Sequence, residues 1–298
     1  MSNLLSALVW LISRLPLGAL QRIGWVSGRL ALVLSPRFGQ KTRNSLKLAG
    51  FAENAPDYRR LIRDSAAHTG MSALELAAAW CQDTRRVAGM VRACQGWDAV
   101  EASVAAGRGL LFITPHLGAY DIAGRYLASR LPVPLTAMFR PPKVKWLQPL
   151  MQRGRIRDNG NTAPATPAGV RQIMKALKHG EATIVLPDQV PGSGEGLWVP
   201  FFGQWAYTMT LASRLGGMKD VDTYFFYGRR LQIGEGFEVR IRPLSVPFTG
   251  DRYQDTRRIN AEVEALVREA PEQYLWGYSR FKHPAGADER PTTDVPLE

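Results

Sequence analysis

The chain has 298 residues, of which 45% are hydrophobic, and this is enough to bury a substantial core in one large domain or two small ones. Its 38 lysine and arginine residues outnumber its 26 acidic residues and give a net charge of +12. The two cysteines, Cys81 and Cys94, form no CxxC pair. The composition therefore argues against a disulfide framework or a structural zinc site and fits a reducing compartment.

The basic residues are concentrated in two stretches that contain no acidic residue. Residues 1–52 carry seven lysines and arginines, and residues 122–157 carry eight. Such stretches indicate an anionic partner, which is a nucleic acid, an anionic bilayer or a phosphorylated ligand. A solvated positive surface gives the same pattern, so charge alone does not separate these alternatives.

The N-terminal residues favour the bilayer. Residues 4–12 are apolar but too few for the roughly 20 that cross a membrane. Residues 17–34 are also largely apolar, and Arg22 and Arg29 share one face of a predicted helix. A signal peptide is disfavoured, because no basic residue precedes the apolar run. We predict that residues 1–50 form a helical, basic, membrane-associating segment. An amphipathic helix packed on the protein's own core gives the same pattern, and both can hold.

Downstream of this segment, predicted helices and strands alternate. Hydrophobic patterning predicts helices at 57–81, 120–129, 168–179, 208–215 and 255–269, and strands at 110–114, 134–139, 182–186, 223–227 and 237–242. This alternation predicts an α/β fold with a central sheet flanked by helices. We assign residues 51–283 to this domain and predict that the proline-rich and acidic residues 284–298 are disordered.

Two polar residues, His116 and Asp121, follow the predicted strand 110–114 directly. At a strand-to-helix turn, where Gly118 lets the backbone bend, Asp121 can accept a hydrogen bond from one imidazole nitrogen and leave the other free as a general base. Sites in open α/β sheets lie beyond the carboxyl ends of strands. The structural alternative is a histidine in the turn and an aspartate that stabilises a helix N-terminus.

Two further observations favour the catalytic interpretation. Asp121 is the only acidic residue between Glu101 and Asp158, so positive charge surrounds it. The sequence also has no serine or cysteine in a recognisable nucleophile elbow. The His116–Asp121 pair is therefore predicted to activate a substrate hydroxyl for direct transfer, without a covalent enzyme intermediate.

This segment resembles the H-x4-D/E motif of the glycerolipid acyltransferase superfamily, and the whole chain is similar to its bacterial lipid A late acyltransferases (lauroyl and myristoyl acyltransferases). The similarity runs nearly end to end, through RNSL (43–46), FRP (139–141), GRIR (154–157), LPDQ (186–189), VPFFG (199–203), PEQYLW (271–276) and RFK (280–282). One residue departs from the pattern, since the lipid A branch usually has glutamate where this chain has Asp121.

The resemblance implies a mixed central sheet flanked by helices and an enzyme of lipid A and lipopolysaccharide biosynthesis. Such an enzyme moves a fatty acyl chain from acyl carrier protein to a hydroxyl of a lipid A precursor, at the cytoplasmic face of the inner membrane. It implies His116 as the base and no bound cofactor or metal. The implied partners are acyl carrier protein, the anionic membrane surface and a phosphorylated lipid acceptor, with no nucleic acid.

The other matching blocks suggest further site residues. Three arginines have forked donors that can bind acceptor phosphates or polarise the thioester carbonyl, or they are solvated surface residues: Arg140, Arg155 and Arg157. Asp188, beside Gln189 at the end of a predicted strand, is expected to hold Arg157 or a substrate group, or to serve the turn. Four aromatic residues are predicted to line an acyl pocket or contact the membrane, unless they are core residues: Trp198, Phe201, Phe202 and Trp205.

Two alternatives remain open. The same chemistry can act on another acceptor, such as a lysophospholipid, glycerol phosphate or an ornithine-type lipid, because Asp121 departs from the lipid A branch. A basic peripheral protein that binds membrane or nucleic acid is the non-enzymatic alternative. The sequence lacks aromatic-rich RNA motifs, a helix-turn-helix signature and zinc-ligand spacing, and this alternative gives His116 and Asp121 no role.

Overall fold

The computed structural model describes residues 2–51, 57–139, 144–157, 159–192, 194–293 and 295, without the side chains of residues 2–4, 139 and 145. The N-terminal part is helical, with α1 (Ser2–Ser13), α2 (Leu17–Leu34), α3 (Pro36–Leu48), α4 (Tyr58–Cys81) and α5 (Thr84–Ala88). Local residues explain these boundaries. Pro16 precedes α2, Ser35 caps α3 by accepting from the backbone of Phe38, and Asp83 caps α5.

The remaining residues alternate between strands and helices. In chain order they form β1 (Val91–Gln95), α6 (Trp97–Ala105), β2 (Gly109–Ile113), α7 (Tyr120–Arg130), β3 (Leu135–Phe139), α8 (Gln148–Arg155), β4 (Gly160–Pro164), α9 (Pro167–Lys178), β5 (Ala182–Val185), β6 (Gly196–Phe201), β7 (Gln204–Met209), α10 (Leu211–Gly216), β8 (Val221–Arg230), β9 (Phe237–Pro243) and α11 (Arg252–Glu269). Short 3-10 helices lie at Lys145–Leu147 and Pro271–Gln273.

Seven of these strands form one sheet in the order β1-β9-β8-β2-β5-β3-β4. The strands from β8 to β4 are parallel, whereas β9 is antiparallel to β8 and β1 is parallel to β9. The predicted α/β fold with a mixed sheet is confirmed. Because β2 and β5 are parallel neighbours, with Ile113 opposite Val185, the loops that leave them begin side by side at one edge of the sheet.

Helices cover both faces of the sheet, and the alternation of side chains along β2 shows how. Leu111 and Ile113 pack in one core cluster with residues of α9 and α11. Leu110 and Phe112 pack in a second cluster with residues of α6 and α7. Every residue of β2 and β5 is buried, as the continuous apolar runs of the sequence predict.

Three glycines bring α2 against α4 at close range. A Cβ atom added at Gly28 would lie 2.0 Å from the carbonyl oxygen of Ala66, and one added at Gly70 would lie 2.1 Å from the carbonyl oxygen of Gly24. Only residues without side chains allow this approach of two backbones. The N-terminal helices are thus packed on the domain through one face of α2.

The opposite face of α2 carries an exposed apolar stripe. Ile23, Val26, Leu30 and Val33 are 49–77% exposed and are spaced by three or four residues, which places them on one side of the helix. Leu8 and Leu11 of α1 are also exposed. Within the described part of the chain, the helices fall short of the length and apolarity that a membrane-crossing segment requires.

The predicted elements occur with ends within three residues of those predicted, except for the predicted helix at 208–215, which is partly wrong. Thr208 and Met209 belong to β7, which forms an antiparallel hairpin with β6, and α10 begins only at Leu211. Pro200 within β6 conceals this strand in the sequence, because proline is disfavoured inside sheets.

The described part of the C-terminal tail lies against this hairpin. The indole Nε1 of Trp198 donates to the carbonyl oxygen of Asp288 at 2.9 Å, and that of Trp205 donates to the carbonyl oxygen of Thr293 at 2.9 Å. Disorder of residues 284–298 stays a prediction.

Candidate active site

His116 and Asp188 meet at the carboxyl edge of the sheet. His116 follows β2, Asp188 follows β5, and a proline precedes each of them. Asp188 Oδ2 accepts from the backbone N–H of His116 at 2.8 Å, and Oδ1 lies 2.8 Å from the imidazole Nδ1. The carboxylate therefore holds both the backbone and the ring of His116. With Nδ1 donating to Asp188, the lone pair of the imidazole is on Nε2.

Asp188 is suited to hold a charged partner. Its side chain is 2% exposed, and burial acts to raise the pKa of its carboxyl. The charge of His116, two hydrogen bonds from His116 and the charge of Arg280 act in the opposite direction. Their combined effect holds the pKa of Asp188 below its usual value, so the group is a carboxylate at neutral pH.

The other nitrogen of His116 faces a replaceable partner. The side-chain amide of Gln189 lies 3.1 Å from Nε2 and is placed to donate to its lone pair. The ring of Tyr120 meets the imidazole edge-on, with 4.9 Å between ring centroids. Because the His116 side chain is 15% exposed, a substrate hydroxyl can take the place of the amide. An imidazole oriented in this way is able to act as a general base.

Asp121 has a different partner from the one we expected. Its Oδ1 lies 3.3 Å from a guanidinium nitrogen of Arg155, while the hydrogen bond of the His116 ring goes to Asp188. The reason is that β5 is the parallel neighbour of β2, so Asp188 after β5 lies beside the His116 ring and takes the hydrogen bond that we expected Asp121 to accept. The expected contact between His116 and Asp121 is thus corrected to one between His116 and Asp188.

Residues 116–121, which we call the 116–121 turn, are held by distant parts of the chain. Gly118 has φ +60, and a Cβ atom there would lie 2.0 Å from the carbonyl oxygen of Gly228 in β8. The carbonyl oxygen of Gly118 accepts from Arg230 at 2.9 Å, and its N–H donates to the carbonyl oxygen of Gln273 at 3.0 Å. The backbone N–H of Leu275 donates to the carbonyl oxygen of His116. The PEQYLW block therefore acts as a support for this turn.

A buried ion pair stands behind the turn. Arg230 Nε lies 2.9 Å from both carboxylate oxygens of Glu75 in α4, and the two side chains are 1% and 2% exposed. Gln21 of α2 donates to Glu75 at 2.9 Å. A nitrogen of the Arg230 guanidinium also lies 3.2 Å from Nδ1 of His68. This network connects the N-terminal helices to the backbone next to His116.

Acidification is expected to destabilise the fold through His68. Burial, and then the charge of Arg230, lower the pKa of His68 from 6.5 to about 3. Below pH 6.5 the unfolded chain therefore binds a proton that the folded chain does not. The free energy of unfolding consequently decreases as the pH is lowered, down to about pH 3. The expected loss is about 2 kcal/mol at pH 5 relative to neutral pH.

Urea unfolding of His68→Gln, followed from neutral pH to pH 5, checks this expectation. The variant should lose less stability than the wild type over this range. His179→Gln, at the exposed end of α9, is the matched control and should behave as the wild type. A wild-type pH dependence in His68→Gln would contradict the assignment.

A cleft opens beside Asp121 and Arg155, between α7 and strands β3 and β5. Its empty volume is about 570 Å³, part of which is open to solvent. Thr114, Tyr120, Arg125 and Asn161 add polar groups to its lining. The apolar lining comes from Gly124 and Ala128 of α7, Leu135, Ala137 and Met138 of β3, Ile184 of β5, and Leu186 after it. Since Tyr120 also contacts the His116 ring, the cleft begins next to the imidazole. We call it the α7 cleft.

The other predicted site residues lie elsewhere or have other partners. Arg157 donates to the carbonyl oxygen of Gln82 at 2.7 Å and not to Asp188. Arg140 lies outside the described residues. Four predicted pocket residues belong to the β6–β7 hairpin, outside the lining of the α7 cleft: Trp198, Phe201, Phe202 and Trp205. Phe201 and Phe202 lie in the core because β6 packs on α11, and Trp198 and Trp205 contact the tail.

Comparison with known proteins places the chain in one family. The family model of the bacterial lipid A biosynthesis acyltransferases matches residues 2–283. The lipid A biosynthesis lauroyltransferase of Escherichia coli K12 is 28% identical over 288 residues, which cover 95% of this chain and 92% of the relative. The palmitoleoyltransferase of the same organism is 28% identical over 92% of this chain and 88% of its own. The lipid A biosynthesis myristoyltransferase of Escherichia coli K12 is 26% identical over 61% of this chain and 56% of its own length. The chain therefore belongs to the bacterial lipid A biosynthesis acyltransferase family and is an acyltransferase.

Proposed function

We propose that the chain transfers a fatty acyl group from an acyl carrier protein thioester to a hydroxyl group of a lipid A precursor, with His116 as the general base. The observation that carries this proposal is the His116–Asp188 pair beside the α7 cleft. An oriented imidazole with its lone pair on Nε2 can deprotonate an alcohol that displaces the Gln189 amide, and the adjacent cleft can hold a hydrocarbon chain.

In the proposed reaction, His116 alone carries the proton from the attacking hydroxyl to the leaving thiolate. Nε2 of His116 takes the proton of the acceptor hydroxyl as its oxygen attacks the thioester carbonyl carbon. The tetrahedral intermediate collapses with cleavage of the carbon–sulfur bond, and the imidazolium returns the proton to the leaving thiolate. The products are an ester and the free thiol of the carrier. Asp188 stabilises the imidazolium while it exists, as a buried carboxylate does in hydrolase triads.

The surroundings of the cleft support the choice of donor. The acid-free basic residues 122–157 include α8 and much of α7, both of which line the cleft or flank it. An acidic carrier protein that delivers its chain there meets complementary charge, which speeds association and fixes orientation. Arg155, beside Asp121, is our candidate for contact with the thioester oxygen or an acceptor phosphate.

The acceptor is inferred from the relatives, whose names assign them to lipid A biosynthesis. The test is an assay of the purified protein with an acyl carrier protein thioester and three separate acceptors: a lipid A precursor with free hydroxyacyl groups, a lysophospholipid, and glycerol phosphate. Ester formation on the precursor is expected. Ester formation only on one of the other two would replace the acceptor, and no transfer to any of them would contradict the proposal.

We further propose that α1 and α2 bind the anionic surface of the inner membrane on its cytoplasmic side. The exposed apolar stripe of α2 is flanked by Arg22, which is exposed, and by Arg29, whose guanidinium lies 3.7 Å from the ring centroid of Trp25 and also pairs with Asp64 at 2.9 Å. Burial of apolar side chains among lipid and attraction of arginine to anionic headgroups then act together. The same face brings the acceptor lipid and the enzyme to one surface.

Co-sedimentation with phosphatidylglycerol-containing vesicles checks this interface. Val26→Glu, on the stripe, is expected to weaken vesicle binding by about tenfold or more, because it removes apolar burial and adds a repelled charge. Val246→Glu is the matched control, since Val246 is 51% exposed and Val26 is 49% exposed. Equal binding of the two variants would contradict the proposed interface.

A further inference from the structure

Gly124 occupies an unusual place in the middle of α7. A Cβ atom added there would meet only the δ-methyl of Ile184, at 3.4 Å. By contrast, a Cβ atom at Gly28 would collide with the backbone of α4. Helix packing therefore explains the glycine of α2 but not the glycine of α7.

Gly124 also lowers the stability of α7. Glycine inside a helix is less favourable than alanine by about 1 kcal/mol, and the space at Gly124 would accept the alanine methyl at ordinary contact distance. The remaining explanation for a glycine at position 124 is the open space beside it. Gly124 lines the α7 cleft, three residues after Asp121 and four before Ala128, so all three lie on one helical face.

The α7 cleft runs along this face from one end at Asp121 and Arg155 to a far end at Ala128 and Leu135, where Asn161 also lines it. The first end lies on the side where His116 and Asp188 leave the sheet. Ala128 lies one and a half to two turns further along α7, a rise of about 10 Å from Asp121. Leu135 lines the same end, because it pairs with Ala182 at the start of β5, away from the carboxyl edge. A chain that enters beside His116 thus passes Gly124 before it reaches Ala128.

We infer that Gly124 and Ala128 set the length of the acyl chain that the enzyme accepts from its donor. The open space at Gly124 lets the chain pass, and Ala128 with Leu135 bounds the far end of the cleft. This inference rests on the proposed function. It also gives the family a physical means of variation, since the relatives are named for lauroyl, palmitoleoyl and myristoyl transfer.

The test compares kcat/KM of purified variants over a series of saturated acyl carrier protein thioesters of increasing length. Gly124→Leu is expected to lower kcat/KM for the wild type's preferred donor by about tenfold or more and to move the preference to shorter donors. Ala128→Leu should shorten the preference less, because its side chain lies about 6 Å deeper along the helix. Leu135→Ala should extend the preference to longer donors, because Leu135 bounds the far end of the cleft.

Ser129→Leu is the matched control, with the same residue added to α7 next to Ala128 but outside the cleft lining. It should keep the wild-type length profile. An equal loss for all donors in Gly124→Leu, or an unchanged profile in both Gly124→Leu and Leu135→Ala, would overturn the inference. If Gly124→Leu does not fold, as judged by circular dichroism, Leu135→Ala decides the matter: a shift to longer donors supports the inference, and an unchanged profile overturns it.

A second measurement separates this inference from the proposed function. Displacement of a fluorescent fatty acid by unlabelled fatty acids of increasing length reports on the cleft without any acyl transfer. The wild-type protein could transfer no acyl group and still bind fatty acids only up to a certain chain length, with a shorter limit in Gly124→Leu. This result would contradict the proposed reaction and support the inference that Gly124 sets the chain length. Equal displacement profiles of the wild type and Gly124→Leu would overturn the inference that Gly124 sets the chain length.

Discussion

His116→Ala is expected to lower kcat for acyl transfer by about a thousandfold, because general base catalysis by a positioned side chain contributes roughly 10²–10⁴-fold. The KM for the donor should change little, since the imidazole lies next to the α7 cleft without forming its lining. Steady-state kinetics with purified protein checks both values. His179→Ala, at the exposed end of α9, is the control for loss of a histidine.

The fold should survive this change. The side chain of His116 is partly exposed, and the backbone N–H of residue 116 can still donate to Asp188. Equal thermal unfolding of the variant and the wild type would show that the loss is catalytic. A folded His116→Ala protein with wild-type kcat would contradict the assignment of the base.

Asp188→Asn is expected to lower kcat by about 10³–10⁴-fold, as the matching change does in hydrolase triads. The backbone N–H of His116 is a fixed donor, so the asparagine oxygen will accept from it. The asparagine NH2 group then faces Nδ1, which must present its lone pair. This places the proton on Nε2, where it blocks the base.

Double-mutant cycles distinguish the two carboxylates. Adding Asp188→Asn to His116→Ala should cause little further loss, because residues that act as a unit are not additive. Asp121→Asn should be coupled to Arg155→Gln, 3.3 Å away, and additive with Asp188→Asn. Non-additivity between Asp121→Asn and Asp188→Asn would place Asp121 in the same relay as His116 and contradict the division of roles.

The sequence predicts the fold and one residue of the proposed catalytic pair, His116 and Asp188. The apolar runs at β2 and β5 and the turn residues after them identify strands that end at a site, so His116 is found from local pattern alone. Its carboxylate partner is not, because the pairing of β2 with β5 is a contact between residues 72 positions apart. The signal was nonetheless present, since each buried strand is followed two residues later by a proline and then by a polar residue, His116 or Asp188. Parallel neighbours would bring these two together.

The proposed acyl site, the α7 cleft, was harder to predict, because small residues on α7 open it. Sequence patterning draws attention to the aromatic residues at 198–205, which the structure places in the hairpin and core. The α7 cleft depends on what is missing at Gly124 and Ala128, and an open space between a helix and a sheet is visible only when the two are packed. The support of the 116–121 turn by Arg230 and Gln273 likewise depends on long-range contacts.

Mass spectrometry of lipid A from a strain that lacks this protein tests the central claim most directly. The account predicts that the deletion strain accumulates lipid A lighter by one acyl chain, that the wild-type gene restores the missing chain, and that the His116→Ala gene, expressed at an equal level, does not. Unchanged lipid A in the deletion strain, in an organism where no second enzyme replaces it, would contradict lipid A as the acceptor. Full restoration by His116→Ala would contradict the mechanism.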